Sequence, residues 1–123
     1  MDFSKSEEHL AIEASIEKFA RNEMAPLARE LDDKSEFSWD LWRKMGELGY
    51  LGLLMEEKYG GSNLGALGTA IALEVAGRGG ADQGTLLSWA AHMVISALNI
   101  QTWGNGGQKE KYLPKMASGE WVG

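Results

Sequence analysis

His9 and His92 are the only histidines in a chain of 123 residues that carries 18 acidic side chains and no cysteine. Without a thiol there is no cysteine nucleophile, no disulfide framework and no Cys-ligated metal. Neither histidine has an HExxH neighbour, so the spacing that puts two ligands on one helix face is missing. GxSxG, GxGxxG and GxxxxGK[ST] are also missing. Gly60, Gly61, Gly65 and Gly68 have the density of a phosphate loop. No strand pattern precedes them and no Lys follows, so they read as loop geometry. Glu56, Glu57 and Glu74 have the chemistry of a base, yet nothing around them in the sequence argues for a raised pKa. Catalytic, flavin-binding and metal-ligating residues are therefore assigned to none of these positions.

What remains is an apolar surface. No Asp, Glu, Lys or Arg occurs between Asp82 and Lys109, in a chain of which 24% is charged. The run holds Ser88, His92, Ser96, Asn99, Gln101 and Thr102, which makes it too polar for a simple membrane span of roughly 20 apolar residues. Read as a helix, it carries two stripes. Ser88, His92, Ser96 and Asn99 form a mildly polar one; Leu87, Ala91, Ile95 and Leu98 form a wholly apolar one. A helix without charge on any side has little access to water, so it is expected to be central in its bundle or covered by something else. Taken residue by residue it is a core helix. Taken as a stripe with small Ala91 at its middle, it is a wall for an aliphatic ligand.

The rest of the chain supplies the elements that must hold this helix. Ile12, Ile16, Phe19, Glu23, Leu27 and Leu31 step by three and four, which predicts a helix over about 4–31 with one buried face. Ser4 with Glu7, or Ser6, supplies its N-cap. Pro26 should kink or split it, and residues 32–37 read as a polar connection. Ser38 caps a short helix with Trp39, Leu41, Trp42, Met45 and Leu48 as its apolar set, stopped by Gly49. A third helix is expected over about 66–76, ended by Gly77, Gly79 and Gly80. Asp82 caps the uncharged one. Asn105 with Gln108 caps a fifth, QKEKYL, whose end Pro114 disturbs. No strand is expected. The fold class is all-α, an orthogonal or up-down bundle of about five to six helices.

Net charge is −6 and 44% of residues are hydrophobic, the profile of a soluble globular domain. An acidic chain with no Lys/Arg block does not suit nucleic acid. The N-terminal MDFSKSEEHL lacks the basic and apolar regions of a leader peptide, so the expected setting is cytoplasmic.

The ordered motifs add a resemblance. They run S-E-E-H, F-A-R-N-E-M-A-P-L-A, L-W-R-K-M-G-E-L-G-Y-L-G, E-E-K-Y-G-G, A-L-E-V-A-G-R and W-G-N-G-G-Q-K-E-K-Y-L-P-K-M-A-S-G-E-W-V-G. Over essentially its whole length the chain resembles the N-terminal helical domain of the acyl-CoA dehydrogenase family. The resemblance implies residues 1–120 as that domain and 121–123 as the start of a middle β-domain, with that domain and a C-terminal bundle lying outside this sequence. It implies a flavoprotein using FAD to dehydrogenate an acyl-CoA or acyl-carrier thioester, in which a carboxylate outside this chain removes the α-proton and hydride goes to the flavin. Homo-oligomers, tetrameric or dimeric, and an electron-transfer flavoprotein partner belong to the same picture, as does a place in fatty acid metabolism.

Within that family the N-terminal domain supplies one wall of the acyl-chain pocket. Leu87 and Ala91 fall at its pocket-facing positions and Ile95 lies one turn on, so the resemblance implies these three as substrate-binding residues. They coincide with the apolar stripe read from spacing. Small side chains there suit a medium, branched or bulky acyl group. The chain departs from the family's habits at Asn105-Gly106-Gly107, where acids are common, at Ala97–Asn99, where Pro is common, and at Trp89 and Trp103. These departures keep open a flavin-dependent monooxygenase, an acyl-carrier-specific relative, and a stand-alone helical binding or assembly module.

Overall fold

The first helix begins at Ser6, the second of the two expected caps. The Ser6 hydroxyl accepts from the His9 N–H and His9 Nδ1 accepts from the Ser6 N–H, a reciprocal box closed by His instead of Glu. The computed structural model describes residues 4–123. Met1, Asp2 and Phe3, part of the stretch read as lacking a leader, lie outside the described residues.

Helix α1 (Glu7–Phe19) runs into α2 (Ala25–Lys34) through a π-helical turn, Ala20–Met24, in which the Ala25 N–H reaches back to the Ala20 carbonyl. Pro26 does not split the helix there. It sits in the first turn of α2, where a missing N–H matters least because the wider turn before it has already shifted the bonding register. The helix continues through residues expected as a connection and stops at Ser35, in the left-handed region at φ 51°.

Helix α3 (Trp39–Glu47) has the expected cap, with Ser38 Oγ accepting from the Leu41 N–H at 3.2 Å, and the expected stop, with Gly49 at φ 81°. Leu41, Trp42 and Met45 are buried, whereas Trp39 and Leu48 are 59% and 54% exposed. Their periodicity placed them on the apolar face, but no element among the described residues covers its two edges. Two short 3₁₀ turns, Tyr50–Gly52 and Glu57–Tyr59, carry the chain to α4 (Gly65–Arg78). Gly77 lies inside α4, which ends two residues later than expected, at Arg78, with Gly79 as its C-cap.

Asp82 then caps α5 (Gln83–Ala90), its carboxylate accepting from the Thr85 N–H and hydroxyl. A second π-helical run, Ala91–Ala97, joins α5 to α6 (Leu98–Trp103). Helix α7 (Gly106–Ala117) opens with the expected Asn105–Gln108 capping box and passes through Pro114 to Ala117. Continuous helical segments therefore number five, 7–34, 39–47, 65–78, 83–103 and 106–117, with no strand among the described residues. This is the expected all-α bundle.

The main core gathers Ile16, Phe19, Trp42, Met45, Leu51, Ile71, Val75, Trp89 and Met93 from four helices and the 50–54 segment. A smaller one gathers Met55, Tyr59, Ala97, Leu113, Met116 and Ala117. The 83–103 segment backs both, because Trp89 and Met93 enter the first and Ala97 the second. Where α3 meets the end of α7 the backbones touch. A Cβ on Gly46 would collide with the Ser118 carbonyl, so only Gly allows that approach.

Candidate functional site

The 83–103 segment has its two faces sorted with a period of four. Trp89, Met93 and Ala97 are each 0% exposed, Thr85 is buried ahead of them, and Gln101 is half-buried behind. Leu87 is 72% exposed, Ile95 67% and Trp103 81%; Ala91 is half-buried and Asn99 exposed between them. An α-helix overshoots a full turn by about 40° every four residues, so such a row would wind about 160° around the axis between Leu87 and Trp103. That winding is reduced, because Ala91–Ala97 is π-helical, with the Leu98 N–H bonded to the Met93 carbonyl. The wider turn takes back part of the overshoot, so that Leu87, Ala91 and Ile95 stay on one side of the helix.

The inner row is anchored by polar contacts at both ends. Trp89 Nε1 donates to the Tyr50 carbonyl at 2.9 Å. Gln101 Nε2 donates to the Leu54 carbonyl at 3.3 Å while its Oε1 accepts from the Glu56 N–H at 2.8 Å. His92 is wholly buried, with Nε2 3.0 Å from the Met116 carbonyl and Nδ1 3.2 Å from the Gly123 amide. Burial holds its pKa below the usual imidazole range, the Met116 carbonyl opposing that only in part. The expected polar stripe is thus divided: His92 points inward, Ser88 and Ser96 are half-buried, and Asn99 is exposed, its amide donating to the Ile95 carbonyl.

The outer row separates the two expected alternatives, a helix central in its bundle or one covered by something else. One side of the helix is core, but Leu87, Val94, Ile95, Leu98 and Trp103 leave the other, apolar side open among the described residues. Leu87, Ala91 and Ile95 share that face, as their spacing requires. Val94, 45% exposed beside them, and Trp103 at the far end escaped the spacing argument. At that end Ile100, Trp103 and Tyr112, with Asn99 and Gln108, border a shallow apolar hollow. Period four in the buried residues was the available signal, because a plain α-helix cannot keep it for four turns.

An uncovered face of this kind binds apolar probes. The 123-residue chain alone should enhance the fluorescence of an apolar dye and associate in light scattering. A monodisperse monomer without dye enhancement contradicts the open face.

Little else in the bundle is reactive. Among the described residues no three His, Asp or Glu side chains converge as metal ligands, and no helix is long and apolar enough to cross a membrane. Among the described residues no strand precedes Gly60–Gly68, so that region is a loop between helices and not a strand–loop–helix phosphate cradle.

Comparison with known proteins agrees with this architecture. The family model for the N-terminal domain of acyl-CoA dehydrogenases matches residues 6–120. Mitochondrial isovaleryl-CoA dehydrogenase of Pongo abelii is 38% identical over 120 residues, covering 96% of this chain and 28% of the relative. L-prolyl-[peptidyl-carrier protein] dehydrogenase of Pseudomonas fluorescens is 36% identical over 123 residues, 100% of this chain and 32% of the relative. The crystal structure of an acyl-CoA dehydrogenase complexed with FAD from Bacillus anthracis superposes with a TM-score of 0.86 at 38% identity, over 97% of this chain and 20% of that one. The chain thus spans a third or less of the relatives it matches. It belongs to the acyl-CoA dehydrogenase family, as its N-terminal helical domain.

Proposed function

We propose that this domain forms one wall of the acyl-chain slot of a FAD-dependent acyl-CoA dehydrogenase, and that the acyl group is branched or otherwise bulky near its end. The observation that carries the proposal is the uncharged row Leu87–Ala91–Ile95 on one open helix face. Such a row gives an aliphatic chain continuous contact without a polar group to desolvate. Ala91, with a single methyl group between two longer side chains, leaves a dent of the right kind for a branch. The name of the isovaleryl relative specifies a branched acyl-CoA, which supports the same class of substrate.

The domain contributes binding and exclusion of water in this reading, and the carboxylate base and the flavin belong to the rest of the protein. FAD supplies the acceptor for hydride when bound there. The residues described here bury the acyl tail, which fixes the thioester end relative to that machinery. Residues 121–123 lead toward the middle domain. The complete protein is a cytoplasmic homo-oligomer that passes electrons to an electron-transfer flavoprotein. A carrier-bound substrate is the second reading, favoured by the similarity to the prolyl-carrier dehydrogenase.

Anaerobic mixing of the complete flavoprotein with isovaleryl-CoA tests the proposal. The oxidised-flavin absorbance should bleach, and bleach more with branched than with straight acyl-CoA of equal carbon number. No bleaching with any acyl-CoA, but bleaching with a carrier-bound acyl group, moves the assignment to the second reading. No bleaching with either rejects both.

A further inference from the structure

His92 is a fully buried titratable side chain with no part in the outer row, although it is the neighbour of Ala91 and lies inside the π-helical run. Its ring stands edge-on to Trp42 of α3, centroids 5.1 Å apart at 87°. Its two nitrogens meet backbone groups of opposite character, 24 and 31 residues away in sequence. The Met116 carbonyl can only accept, so Nε2 carries hydrogen. The Gly123 amide can only donate, so Nδ1 presents its lone pair. One neutral tautomer satisfies both. Gly123 is itself exposed, but its backbone approaches Ser96 and Met116 so closely that a Cβ there would collide with both side chains.

We propose that His92 is a positioning residue, a single-tautomer clip that fixes the segment leaving α7 against the helix carrying Leu87, Ala91 and Ile95. The π-helical run exchanges the α-helical ladder for wider bonds spanning five residues. His92 ties the inner side of that run to α7 through Met116 and to the following segment through Gly123. The effect on substrate selection rests on the slot reading above; the clip itself does not.

The clip should open with acid. A proton added at Nδ1 would face the Gly123 N–H, donor against donor, and put a charge in a buried site. From α3 the ring meets Trp42, from α7 the Met116 carbonyl and from the last residues the Gly123 amide. These groups are uncharged; the one charge beside them is the α-carboxylate that Gly123 carries as the last residue of this chain, and it is not among the causes of the ring's shift. The charged side chains of the same elements, Asp40, Arg43, Lys44, Glu47, Lys109, Glu110, Lys111, Lys115 and Glu120, are exposed or half-buried, and none is among the causes of the ring's shift. Because the folded-state pKa lies below that of the unfolded chain, the unfolded chain takes up the proton first. Stability is full above about pH 6.5 and falls as pH drops toward the folded-state value.

Nuclear magnetic resonance on the ¹⁵N-labelled chain tests the clip. At neutral pH the His92 ring should show a bare Nδ1 and a protonated Nε2, and the Gly123 amide should titrate with the ring on acidification, together with the Ile95 methyl groups. His92→Asn keeps an acceptor near the place of Nδ1, and His92→Gln keeps a donor near the place of Nε2. Gly123 amide exchange should therefore accelerate about tenfold in His92→Gln and stay near the parent rate in His92→Asn. A proton on Nδ1, a Gly123 amide indifferent to the ring's titration, or equal exchange in parent and both variants overturns the proposal. Should the variants not fold, the tautomer and the titration of the parent chain decide it. Flavin bleaching tests the slot separately, so the failure of either reading is visible in its own measurement.

Discussion

Replacing Trp89 with Ala should cost about 3–5 kcal/mol of stability, the range for deleting a buried aromatic side chain. Trp89 is 0% exposed in the main core, its ring 6.5 Å from that of Tyr50. Its indole donates to the Tyr50 carbonyl. Truncation therefore removes apolar contact, leaves a cavity between the 83–103 helix and the 50–54 segment, and strands a buried acceptor. Small domains have about 5–15 kcal/mol in total, so the variant should approach the edge of folding, with a melting temperature lower by roughly 12–20 °C. Trp89→Phe isolates the hydrogen bond. It keeps most of the bulk, loses the donor, and should cost about 1–3 kcal/mol. Urea denaturation of the three proteins measures both steps. A Trp89→Ala variant within about 0.5 kcal/mol of the parent would mean that this helix does not rest on the core through Trp89.

The second large effect belongs to the outer face and should leave stability nearly alone. Ala91→Trp in the complete protein puts an indole at the middle of the row. Ala91 is half-buried on the uncovered side, so no core contact is broken and the change in unfolding free energy should stay within about 0.5 kcal/mol. A hydrophobic pocket discriminates roughly 10–200-fold per methylene. An added indole should therefore lower kcat/KM for isovaleryl-CoA at least about a hundredfold, with less effect on the shortest acyl group that reacts. Steady-state kinetics across a series of acyl-CoA thioesters reads this directly. Equal losses for every acyl group would take Ala91 out of the wall.

The helix ends were legible because they depend on local chemistry. Ser38, Asp82 and Asn105 with Gln108 each satisfy N–H groups within three residues of themselves, and Gly49 supplies a backbone conformation that other residues avoid. The site row was legible in part. Leu87, Ala91 and Ile95 share a face in any helix-like geometry, whatever lies beyond it. What periodicity does not carry is whether a face is covered. Trp39, Leu48, Leu87 and Ile95 all obey the pattern of core residues and all stand in solvent among the described residues, because burial depends on partners distant in sequence. A missing charge reports that a face will be covered, and it does so equally for a bundle interior and for a surface awaiting another domain.

Pro26 shows a different limit. Its covalent structure forbids one hydrogen bond, and the expected remedy is a break. The chain instead widens the turn at Ala20–Met24 and places Pro26 at the start of the next regular stretch. The second π-helical run had a clearer trace in the sequence. Trp89, Met93 and Ala97 repeat every four residues, which an ordinary helix holds in register only for a short distance. That same run keeps the outer row on one side of the helix, so one departure from α-geometry serves both the core and the proposed slot.

The most direct test is a crystal structure of the complete flavoprotein with a non-reactive, branched acyl thioester. Side-chain carbons of Leu87, Ala91 and Ile95 should lie within about 4.5 Å of the acyl carbons, along one side of the helix. An acyl chain seated elsewhere, with this row packed against another part of the protein or left in water, would contradict the assignment.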